Sequence, residues 1–397
     1  MKTKGVDNME FSRVFLIVLD SLGAGAMKDA DKFGDVGAST IDSVLGAKEK
    51  LAIPNLVNLG FGNLSNNKKY HNENHKAIIA RIEEESNGKD TMTGHWEFMG
   101  IKTTNPFVTF TETGFPDELI KELEERTGRK VVANKAASGT EIIEEYGKHQ
   151  METGDLIVYT SADSVLQIAA HEDIISVEEL YRCCEIARDI TMREDWLLGR
   201  VIARPYVGEP GSFKRTPNRH DYALSPSEDT VLDFMKNKGL ETISVGKIFD
   251  IFNGKGLSES NKTKSNFDGM EQTIAMIKDR DFKGLCFVNL VDFDANFGHR
   301  RDPQGYAGAL EEFDGQLSEV LANLRDDDLL MLVADHGNDP NYSGSDHTRE
   351  YVPFVAYYNG LKAGKNLGDL YSFASIGATI AKNFEVQLPK IGSIIDL

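Results

Sequence analysis

Short runs of hydrophobic residues alternate along this chain with segments in which hydrophobic residues recur every three or four positions. Residues 14–19, 288–291 and 332–334 are apolar runs of strand length. A helical stripe between the last two contains Tyr306, Leu310, Phe313, Leu317, Val320, Leu321 and Leu324. Because such a stripe packs against a sheet, the alternation predicts an α/β fold with a mainly parallel sheet flanked by helices.

The middle of the chain predicts a second, smaller α/β unit. A helical pattern covers residues 117–126 and stops near Gly128, with strand patterns at 130–133 and 156–161 on either side. A further helix is expected to begin with a capping box formed by Ser176 and Glu179. Its buried face is expected to contain Leu180, Cys183, Cys184 and Ala187.

A cluster of prolines indicates where this unit is joined to the rest. Proline fixes φ and removes a backbone donor, so we expect no regular structure around Pro205, Pro210, Pro217 and Pro226. Pro106 marks the other crossing. We therefore expect residues 105–222 to form an inserted cap domain, while 1–104 and 223–397 together form one core.

Length and composition agree with a two-domain globular protein. The chain has 397 residues, of which 40% are hydrophobic and 27% charged. A net charge of -19 argues against nucleic acid or an anionic membrane as a partner. No apolar run approaches a membrane span, and the first one is too short for a signal peptide. Three cysteines, two of them adjacent, predict no disulfide framework and favour the reducing cytoplasm.

Acidic residues and histidines follow the three apolar runs. A single aspartate at a strand end is more often a turn or capping residue than a metal ligand. Here, however, three carboxylates and three imidazoles all lie at predicted strand ends or in the loops that follow them. They belong to Asp20, Asp294, His299, Asp335, His336 and His347. Such ligands suit divalent ions such as Mn²⁺ or Zn²⁺, so the pattern predicts a two-metal phosphate site. Asp292 is a candidate supporting residue on the same sheet face, and Asp339 and Asp346 are weaker candidate ligands.

The candidate nucleophile lies in residues 88–97, a polar segment with glycines that could open a helix. Thr91 and Thr93 are equally plausible nucleophiles on chemical grounds, and viewed alone the segment is more typical of a helix N-cap. Ser21 and Ser138 have less support. His95 stands beside a tryptophan, a position more typical of a structural histidine than of a ligand.

Five segments carry longer motifs: LVDFDANFGHRR at 290–301, ADHGND at 334–339, SDHTRE at 345–350, KDTMTGHW at 89–96 and RTPNRHD at 215–221. Together they resemble the bacterial phosphopentomutases of the alkaline phosphatase superfamily, and the likeness spans nearly the whole chain. The resemblance implies an alkaline-phosphatase-like core with an inserted α/β cap and two Mn²⁺ ions. It implies interconversion of ribose 1-phosphate, or its 2-deoxy form, with the 5-phosphate.

Residue roles carried over by motif complete this expectation. Asp294, His299 and His347 would hold one ion, and Asp20, Asp335 and His336 the other. Thr91 corresponds to the threonine that is phosphorylated, a sugar bisphosphate is the intermediate and the activator, and the cap excludes water. The residues expected to bind the pentose phosphate are Arg200, Arg215, Ser161, Asp163 and Lys247.

Three other functions remain as alternatives. The same core could serve a phosphatase or a phosphoglycerate mutase, which would have a serine nucleophile or a different lid. A metal-dependent phosphosugar-binding protein without turnover is a third possibility, but such a protein has no use for a hydroxyl aimed at two metals. The sequence does not distinguish Mn²⁺ from Mg²⁺ or ribose from deoxyribose, and it leaves the oligomeric state open.

Overall fold

The chain folds into two compact units. A computed structural model describes residues 11–105, 107–161 and 163–397. One unit contains the described residues up to Thr104 together with Ser225–Leu397, and the other contains Asn105–Leu224. The inserted unit was expected to span residues 105–222, and the compact unit of the structure spans Asn105–Leu224. Pro106, the expected outgoing crossing, lies outside the described residues.

Strands and helices alternate through both units. The strands of the described residues, in chain order, are β1 (Arg13–Leu19), β2 (Ile78–Glu83), β3 (Val131–Ala136), β4 (Leu156–Thr160), β5 (Val165–His171), β6 (Arg200–Val207), β7 (Lys214–Arg215), β8 (His220–Ala223), β9 (Glu241–Val245), β10 (Glu259–Asn261), β11 (Gly284–Leu290), β12 (Asp328–Val333), β13 (Val352–Tyr357) and β14 (Lys365–Tyr371). The α-helices are α1 (Thr40–Gly46), α2 (Pro54–Leu59), α3 (Thr91–Phe98), α4 (Asp117–Thr127), α5 (Gly139–Thr153), α6 (Val177–Ile190), α7 (Val231–Asn237), α8 (Ile248–Ile251), α9 (Asn266–Asp279), α10 (Pro303–Asn323) and α11 (Ala374–Asn383).

The larger unit is built on an eight-stranded sheet with the order β10-β9-β11-β1-β12-β13-β2-β14. Every neighbouring pair is parallel except the two that involve β13. β1, β11 and β12 are buried along their whole length, as is usual for parallel strands covered by helices on both faces. These three strands are neighbours, so their carboxyl ends open at one edge of the sheet. The predicted parallel α/β sheet is confirmed.

The helix predicted from the apolar stripe is α10, which connects β11 to β12. Asp302 caps its first turn by accepting a hydrogen bond from the Gly305 N–H at 2.8 Å. Of the predicted stripe, Tyr306, Leu310, Phe313, Leu317 and Val320 are buried. Leu324 is the C-cap residue and is also buried. Hydrophobic periodicity therefore predicted both the helix and the face that packs against the core.

The shorter helix α3 is anchored at its end by Glu97, which is buried. Its carboxylate accepts hydrogen bonds from the N–H groups of Glu85 at 2.9 Å, Ser86 at 2.6 Å and Phe373 at 2.9 Å. The Ser372 hydroxyl donates a fourth at 3.1 Å. With four donors, the desolvated carboxylate is well satisfied. Glu97 thereby fixes α3 both to the loop before it and to the segment that leads into α11.

The smaller unit has its own mixed sheet, in the order β3-β4-β5-β6-β7, with β8 also paired to β6. The predicted helix at 117–126 is α4, which ends at Gly128 with φ 75°. The predicted capping residue Ser176 begins α6 and accepts a hydrogen bond from the Glu179 N–H at 3.2 Å. Cys183 and Cys184 lie in the core of this unit, and all three cysteines of the chain are free and buried.

The expectation that the proline cluster lacks regular structure is wrong, because the short strands β7 and β8 stand on either side of Pro217 and Pro205 lies inside β6. This residue stands where β6 changes partner, between the part paired with β8 and the part paired with β7. Its carbonyl accepts a hydrogen bond from the Thr216 N–H at 3.1 Å. In a strand, the N–H and C=O groups of one residue point to the same side. The donor that proline lacks would therefore be on the side of β7 and β8, and the hydrogen bonds between β6 and β5 are not interrupted. Pro210, Pro217 and Pro226 lie outside strands.

Among the described residues, no helix combines the length and the apolar character needed to cross a membrane.

A buried ion pair at the amino ends of β1 and β12 leads to a prediction about stability. Arg13 donates to Asp328 through Nε at 2.7 Å and Nη2 at 2.6 Å, and both side chains are almost completely buried. Asp328→Ala leaves a guanidinium buried without its counterion, so we expect a loss of about 3–5 kcal/mol in the free energy of unfolding. Asp369→Ala is the matched control, because it removes an exposed carboxylate from a similar two-bond pair with Arg81 and should cost less than about 1 kcal/mol. Equal losses in urea denaturation would contradict the prediction.

Candidate metal centre

A first group of candidate ligands follows the ends of β1 and β12. Asp20 comes directly after β1, and Asp335 and His336 follow β12. Each of the three offers a ligand atom within 4.8 Å of the others, and all three side chains are buried. The Nε2 atom of His336 lies 3.5 Å from Asp20 Oδ1 and 3.4 Å from Asp335 Oδ2.

A second group adjoins the first. Asp294 belongs to a π-type turn, Phe293–Gly298, that follows β11, and His299 comes directly after this turn. The Nε2 atom of His299 lies 3.1 Å from Asp294 Oδ2 and 3.1 Å from the Nε2 atom of His347. His336 also lies within 4.8 Å of ligand atoms of Asp294 and His347. The structure therefore brings together all six residues that the sequence singled out.

The three histidines are held by the ring nitrogen that faces away from the carboxylates. The Nδ1–H groups donate to backbone carbonyl oxygens, from His299 to Ser345 at 2.7 Å, from His347 to Lys89 at 2.9 Å and from His336 to Gly337 at 3.0 Å. A carbonyl oxygen can only accept, so in the neutral ring these contacts fix the tautomer and leave the lone pair on Nε2. Metal-binding histidines in proteins are commonly oriented in this way.

Two asparagines that sequence reasoning did not identify orient the carboxylates. Asn289 Nδ2 donates to Asp20 Oδ2 at 2.8 Å, and Asn338 Nδ2 donates to Asp294 Oδ1 at 2.7 Å. Both asparagines are buried. Asn289 interrupts the apolar run of β11, and a lone amide in such a run was the available signal, because buried polar groups need partners.

His95 has the structural role that was expected of it. Its ring is buried, and Nδ1 lies 2.8 Å from the Thr91 carbonyl oxygen and 3.2 Å from Asp335 Oδ2. Ser21, the other nearby candidate, donates its backbone N–H to Asp335 Oδ1 at 3.0 Å. Asp335 is thus fixed from two sides. Ser138 lies in the smaller unit, at the start of α5.

Protein groups compensate the charges of this site only in part. Burial, together with the charges of Asp335 and Asp294, raises the pKa of Asp20 well above its usual range. Burial also opposes ionisation of Asp294, but His347 and His299 hold its pKa well below the usual range. Several carboxylates with like charge are therefore buried close together, an arrangement that a bound cation stabilises.

Two oxygen atoms provide a direct test of whether a metal fits. Asp20 Oδ1 and Asp335 Oδ2 are buried and accept no hydrogen bond, although His336 Nε2 lies near both and His95 Nδ1 lies 3.2 Å from Asp335 Oδ2. An unsatisfied buried carboxylate oxygen is costly unless something coordinates it. Carboxylate oxygens together with imidazole nitrogens form a donor set suited to divalent metals. The residues present therefore fit such ions.

The two candidate threonines differ in their surroundings. Asp90 caps α3 by accepting hydrogen bonds from the N–H groups of Met92 and Thr93, and its Oδ2 accepts another from Thr93 Oγ1 at 2.5 Å. Thr93 is fully buried, so its hydroxyl is occupied by this cap. Thr91 is the first residue of α3, and its Oγ1 lies 3.2 Å from His336 Nε2. Of the two hydroxyls, that of Thr91 lies next to the ligand groups.

Three weaker candidates lie outside both groups. The expectation for Asp292 is wrong, because β11 ends at Leu290 and Asp292 instead accepts hydrogen bonds from the Asn266 N–H at 2.7 Å and from Asn296 Nδ2 at 3.0 Å. Asp339 accepts from the backbone N–H groups of Ser39 and Asn341. Asp346 is largely exposed and pairs with Lys89 at 3.0 Å.

The residues expected to bind substrate are divided between the units. Lys247 is exposed at the start of α8 in the larger unit, and its charge is one of the weaker influences that lower the pKa of Asp20. The other four belong to the smaller unit. Arg200 begins β6 and lies 3.5 Å from Asp163, whose N–H donates to Ser161 Oγ at 3.4 Å. Arg215 is exposed on β7.

Comparison with known proteins places this fold and site in a class. A family model described as the metalloenzyme superfamily matches residues 12–388. The structure of the PH0037 protein from Pyrococcus horikoshii is similar, with a TM-score of 0.51 and 13% identity, covering 97% of this chain and 100% of that one. A Leishmania mexicana phosphoglycerate mutase gives a TM-score of 0.50 and 10% identity, covering 99% of both chains. The chain is thus a member of the metalloenzyme superfamily, with an α/β fold similar to that of the Leishmania phosphoglycerate mutase.

More similar relatives define the family. A phosphopentomutase of Clostridium botulinum is 57% identical over 383 residues, and one of Clostridium tetani is 58% identical over 391 residues. Each match covers 96% of this chain and 96% of the relative. The chain belongs to the phosphopentomutase family, and it is therefore an enzyme of the mutase type, an isomerase. The resemblance seen in the sequence motifs is confirmed.

Protonation of His336 leads to a prediction about metal binding. Burial lowers the pKa of this ring, but Asp335, Asp20 and Asp294 outweigh that effect and raise the pKa to about 9. Without metal the ring is therefore protonated at pH 7, and a metal ion must displace the proton from Nε2. We therefore expect Mn²⁺ binding to release protons. Below pH 9, the apparent affinity for Mn²⁺ should rise about tenfold per pH unit for each proton released, and above pH 9 it should become constant. Calorimetry in buffers of different ionisation enthalpy measures this release. Asp346→Asn, outside the ligand groups, should leave it unchanged, and binding without proton release at pH 7 would contradict the assignment.

Proposed function

We propose that this enzyme interconverts ribose 1-phosphate, or 2-deoxyribose 1-phosphate, with the corresponding 5-phosphate through a phosphothreonine at Thr91 and a sugar bisphosphate intermediate. The observation that carries the proposal is the 3.2 Å distance between Thr91 Oγ1 and His336 Nε2. This hydroxyl lies next to one of the six candidate ligands, in a chain of the phosphopentomutase family. A sugar bisphosphate would prime the enzyme by phosphorylating Thr91.

Two divalent ions, proposed to be Mn²⁺, would be held by Asp20, Asp335 and His336 and by Asp294, His299 and His347. When bound, such ions neutralise phosphoryl charge and favour the alkoxide of a threonine. The protein's own contribution is to hold the ligands still. The carbonyl contacts of the three histidines and the amides of Asn289 and Asn338 do this before substrate arrives.

The position of Thr91 suits it to carry a phosphoryl group. As the first residue of α3 it stands at the positive end of the helix dipole, where an added dianion is stabilised. Asp90 and Glu97 fix the two ends of this helix, so the hydroxyl is held in place. Little reorganisation is then needed when the phosphoryl group is transferred.

The reaction consists of two phosphoryl transfers. The free hydroxyl of the sugar monophosphate attacks the phosphorus of phosphorylated Thr91, the bond from phosphorus to Thr91 Oγ1 breaks, and a sugar bisphosphate forms. After the bisphosphate reorients, Thr91 Oγ1 attacks the other phosphoryl group and the isomeric monophosphate leaves. The smaller unit would act as a cap that excludes water, which would otherwise hydrolyse the phosphothreonine.

The substrate contacts complete the proposal. Arg200 and Arg215 would hold the phosphate that is not being transferred, since a guanidinium matches phosphate with paired donors. Ser161 and Asp163 would contact the sugar hydroxyls, and Lys247 would approach from the core. The reaction would take place in the cytoplasm, and the three free, buried cysteines fit a reducing compartment.

Replacement of Thr91 tests the nucleophile. We expect Thr91→Ala to gain no phosphoryl group on incubation with a sugar bisphosphate and to lose mutase activity by about 10⁴-fold or more, because the covalent intermediate cannot form. Intact-mass analysis and a mutase assay measure the two effects. Thr93→Ala is the matched control, since it removes a hydroxyl that only serves the cap, at a cost of about 1 kcal/mol of stability, and it should still be phosphorylated. A phosphoryl increment on Thr91→Ala would refute the role.

The substrate class is tested separately. We expect the purified enzyme with Mn²⁺ and a sugar bisphosphate to convert ribose 5-phosphate to ribose 1-phosphate, and to leave 3-phosphoglycerate unchanged, because the proposed contacts are to a sugar. ³¹P NMR distinguishes all of these phosphates. Conversion of 3-phosphoglycerate with no conversion of ribose 5-phosphate would overturn the proposed substrate.

A further inference from the structure

Arg301, the last residue of the motif at 290–301, is a half-buried arginine whose side chain donates only to neutral acceptors. Three of its hydrogen bonds go, at 2.6, 2.9 and 2.9 Å, to the backbone carbonyls of Gly344, Asp346 and Gly298, and another goes to the amide oxygen of Asn338. Within the part of the chain that the structure describes, this guanidinium forms no ion pair with a carboxylate. Its contacts therefore hold loops and an amide in place and do not neutralise a charge.

One of these contacts reaches the ligand Asp294 through Asn338. A guanidinium can only donate, so it turns the oxygen of the Asn338 amide toward Arg301. The Nδ2 group at the other end of the amide then donates to Asp294 Oδ1 at 2.7 Å. Asn338 is fully buried, and a Cβ atom added to Gly298 would lie 2.9 Å from its Nδ2. The amide is thus closely confined, and Arg301 determines which of its ends faces the carboxylate.

The carbonyl contacts of Arg301 reach the two histidines of the same group. Two of the carbonyls stand on either side of Ser345, whose own carbonyl accepts the hydrogen bond from His299 Nδ1 at 2.7 Å. His347 comes two residues after Ser345. The guanidinium therefore holds the segment that orients His299 and that leads into His347.

The backbone of Arg301 is also held in an uncommon conformation. Its φ is 54°, in the left-handed region that few residues with a side chain adopt. Its N–H donates to the Gly298 carbonyl at 3.0 Å, and Nη1 donates to the same oxygen. Such conformations persist where the surrounding structure enforces them, and they are concentrated at functional sites. Both the backbone and the side chain of Arg301 are therefore fixed, as a residue that orients others requires.

We propose that Arg301 is a positioning residue for one of the two ions, the ion held by the second group of ligands, Asp294, His299 and His347. This inference rests on the proposed function, which assigns two ions to the site. Through Asn338 and the carbonyls on either side of Ser345, one side chain reaches all three ligands of that group. Among the described residues, Arg301 makes no hydrogen bond to a ligand of the first group, which should keep its geometry without it.

The positive charge of Arg301 acts against the ion that it serves. Burial lowers the pKa of the guanidinium, whereas the charges of Asp339, Asp346 and Asp294 raise it, so the side chain lies within electrostatic reach of the ligand groups. A cation near a metal site repels the metal, and loss of the charge alone would therefore tighten metal binding. Loss of positioning would weaken it. The two roles thus predict changes of opposite sign.

Arg301→Gln removes both the charge and the paired donors, and so tests the sign. We expect the metal-free parent to bind two Mn²⁺ ions and the variant to bind one of them about 10- to 100-fold more weakly, the usual effect of losing a residue that orients metal ligands. Electron paramagnetic resonance of free Mn²⁺ during a titration measures both ions. Arg301→Lys keeps the charge but lacks the planar fork, so it should also weaken that ion. Arg300→Gln is the matched control, because it removes the same charge from the exposed neighbour and should weaken neither ion.

A double substitution identifies the ion that is affected. His299→Ala removes a ligand of the second group, so the ion that still binds tightly belongs to the first group. Adding Arg301→Gln to this variant should leave the affinity for that ion unchanged, because the arginine and the missing ligand serve the same site. Unchanged affinity for the first ion also shows that the variants are folded.

Amide exchange without metal tests the same role independently of any ion. The Thr348 N–H donates to the Gly337 carbonyl at 2.9 Å, at the end of the segment that Arg301 holds. We expect residues 343–348 of the metal-free Arg301→Gln variant to exchange their amide hydrogens faster than in the parent, because the segment opens more often. Mass spectrometry of peptides from this segment measures the rates, and Arg300→Gln should exchange as the parent does.

Several results would overturn the positioning role of Arg301. They are tighter or unchanged Mn²⁺ binding in Arg301→Gln, equal weakening of both ions, and unchanged amide exchange in the metal-free variant. A parent protein that binds fewer than two Mn²⁺ ions would refute the proposed metal centre and with it the ion that Arg301 serves. That failure is read from the parent alone, so it is distinguishable from a failure of the role of Arg301.

Discussion

Three aspartates buried at one edge of a sheet are the constraint on which the rest of the site depends. Asp20, Asp294 and Asp335 lie too close together for their charges to be tolerated in a protein interior without compensation. Histidines supply part of that compensation, and unsatisfied carboxylate oxygens indicate that the rest comes from bound cations. The folded core and the candidate metal centre therefore depend on each other, because the fold that buries these aspartates also needs cations to balance their charges.

The topology of the sheet explains how distant residues reach this edge. β1 stands between β11 and β12, so this early strand brings Asp20 between ligands that come about 270 to 330 residues later. Parallel strands share the direction in which they end, and their carboxyl ends commonly form the binding edge of an α/β sheet. Backbone carbonyls and two amides then fix the side chains that the strands deliver.

Features set by local pattern were predictable, and features set by contacts between distant segments were not. The apolar runs predicted β1, β11 and β12, and periodicity predicted α10, because both depend on residues close in sequence. Asn289 was missed because its role depends on a partner far along the chain. Asp292 was misjudged because β11 ends early in a helical turn, and Pro205 because it stands where a strand changes partner.

The buried carboxylate of Glu97 links α3 to a late part of the chain. Two of its four donors, Ser372 and Phe373, come just over 280 residues after the start of α3, the helix that carries Thr91. On the ribosome, the early part of the chain can form α3, but the carboxylate stays without half of its partners until the segment around Ser372 emerges. The end of α3 therefore reaches its final packing only after almost the whole chain has been synthesised.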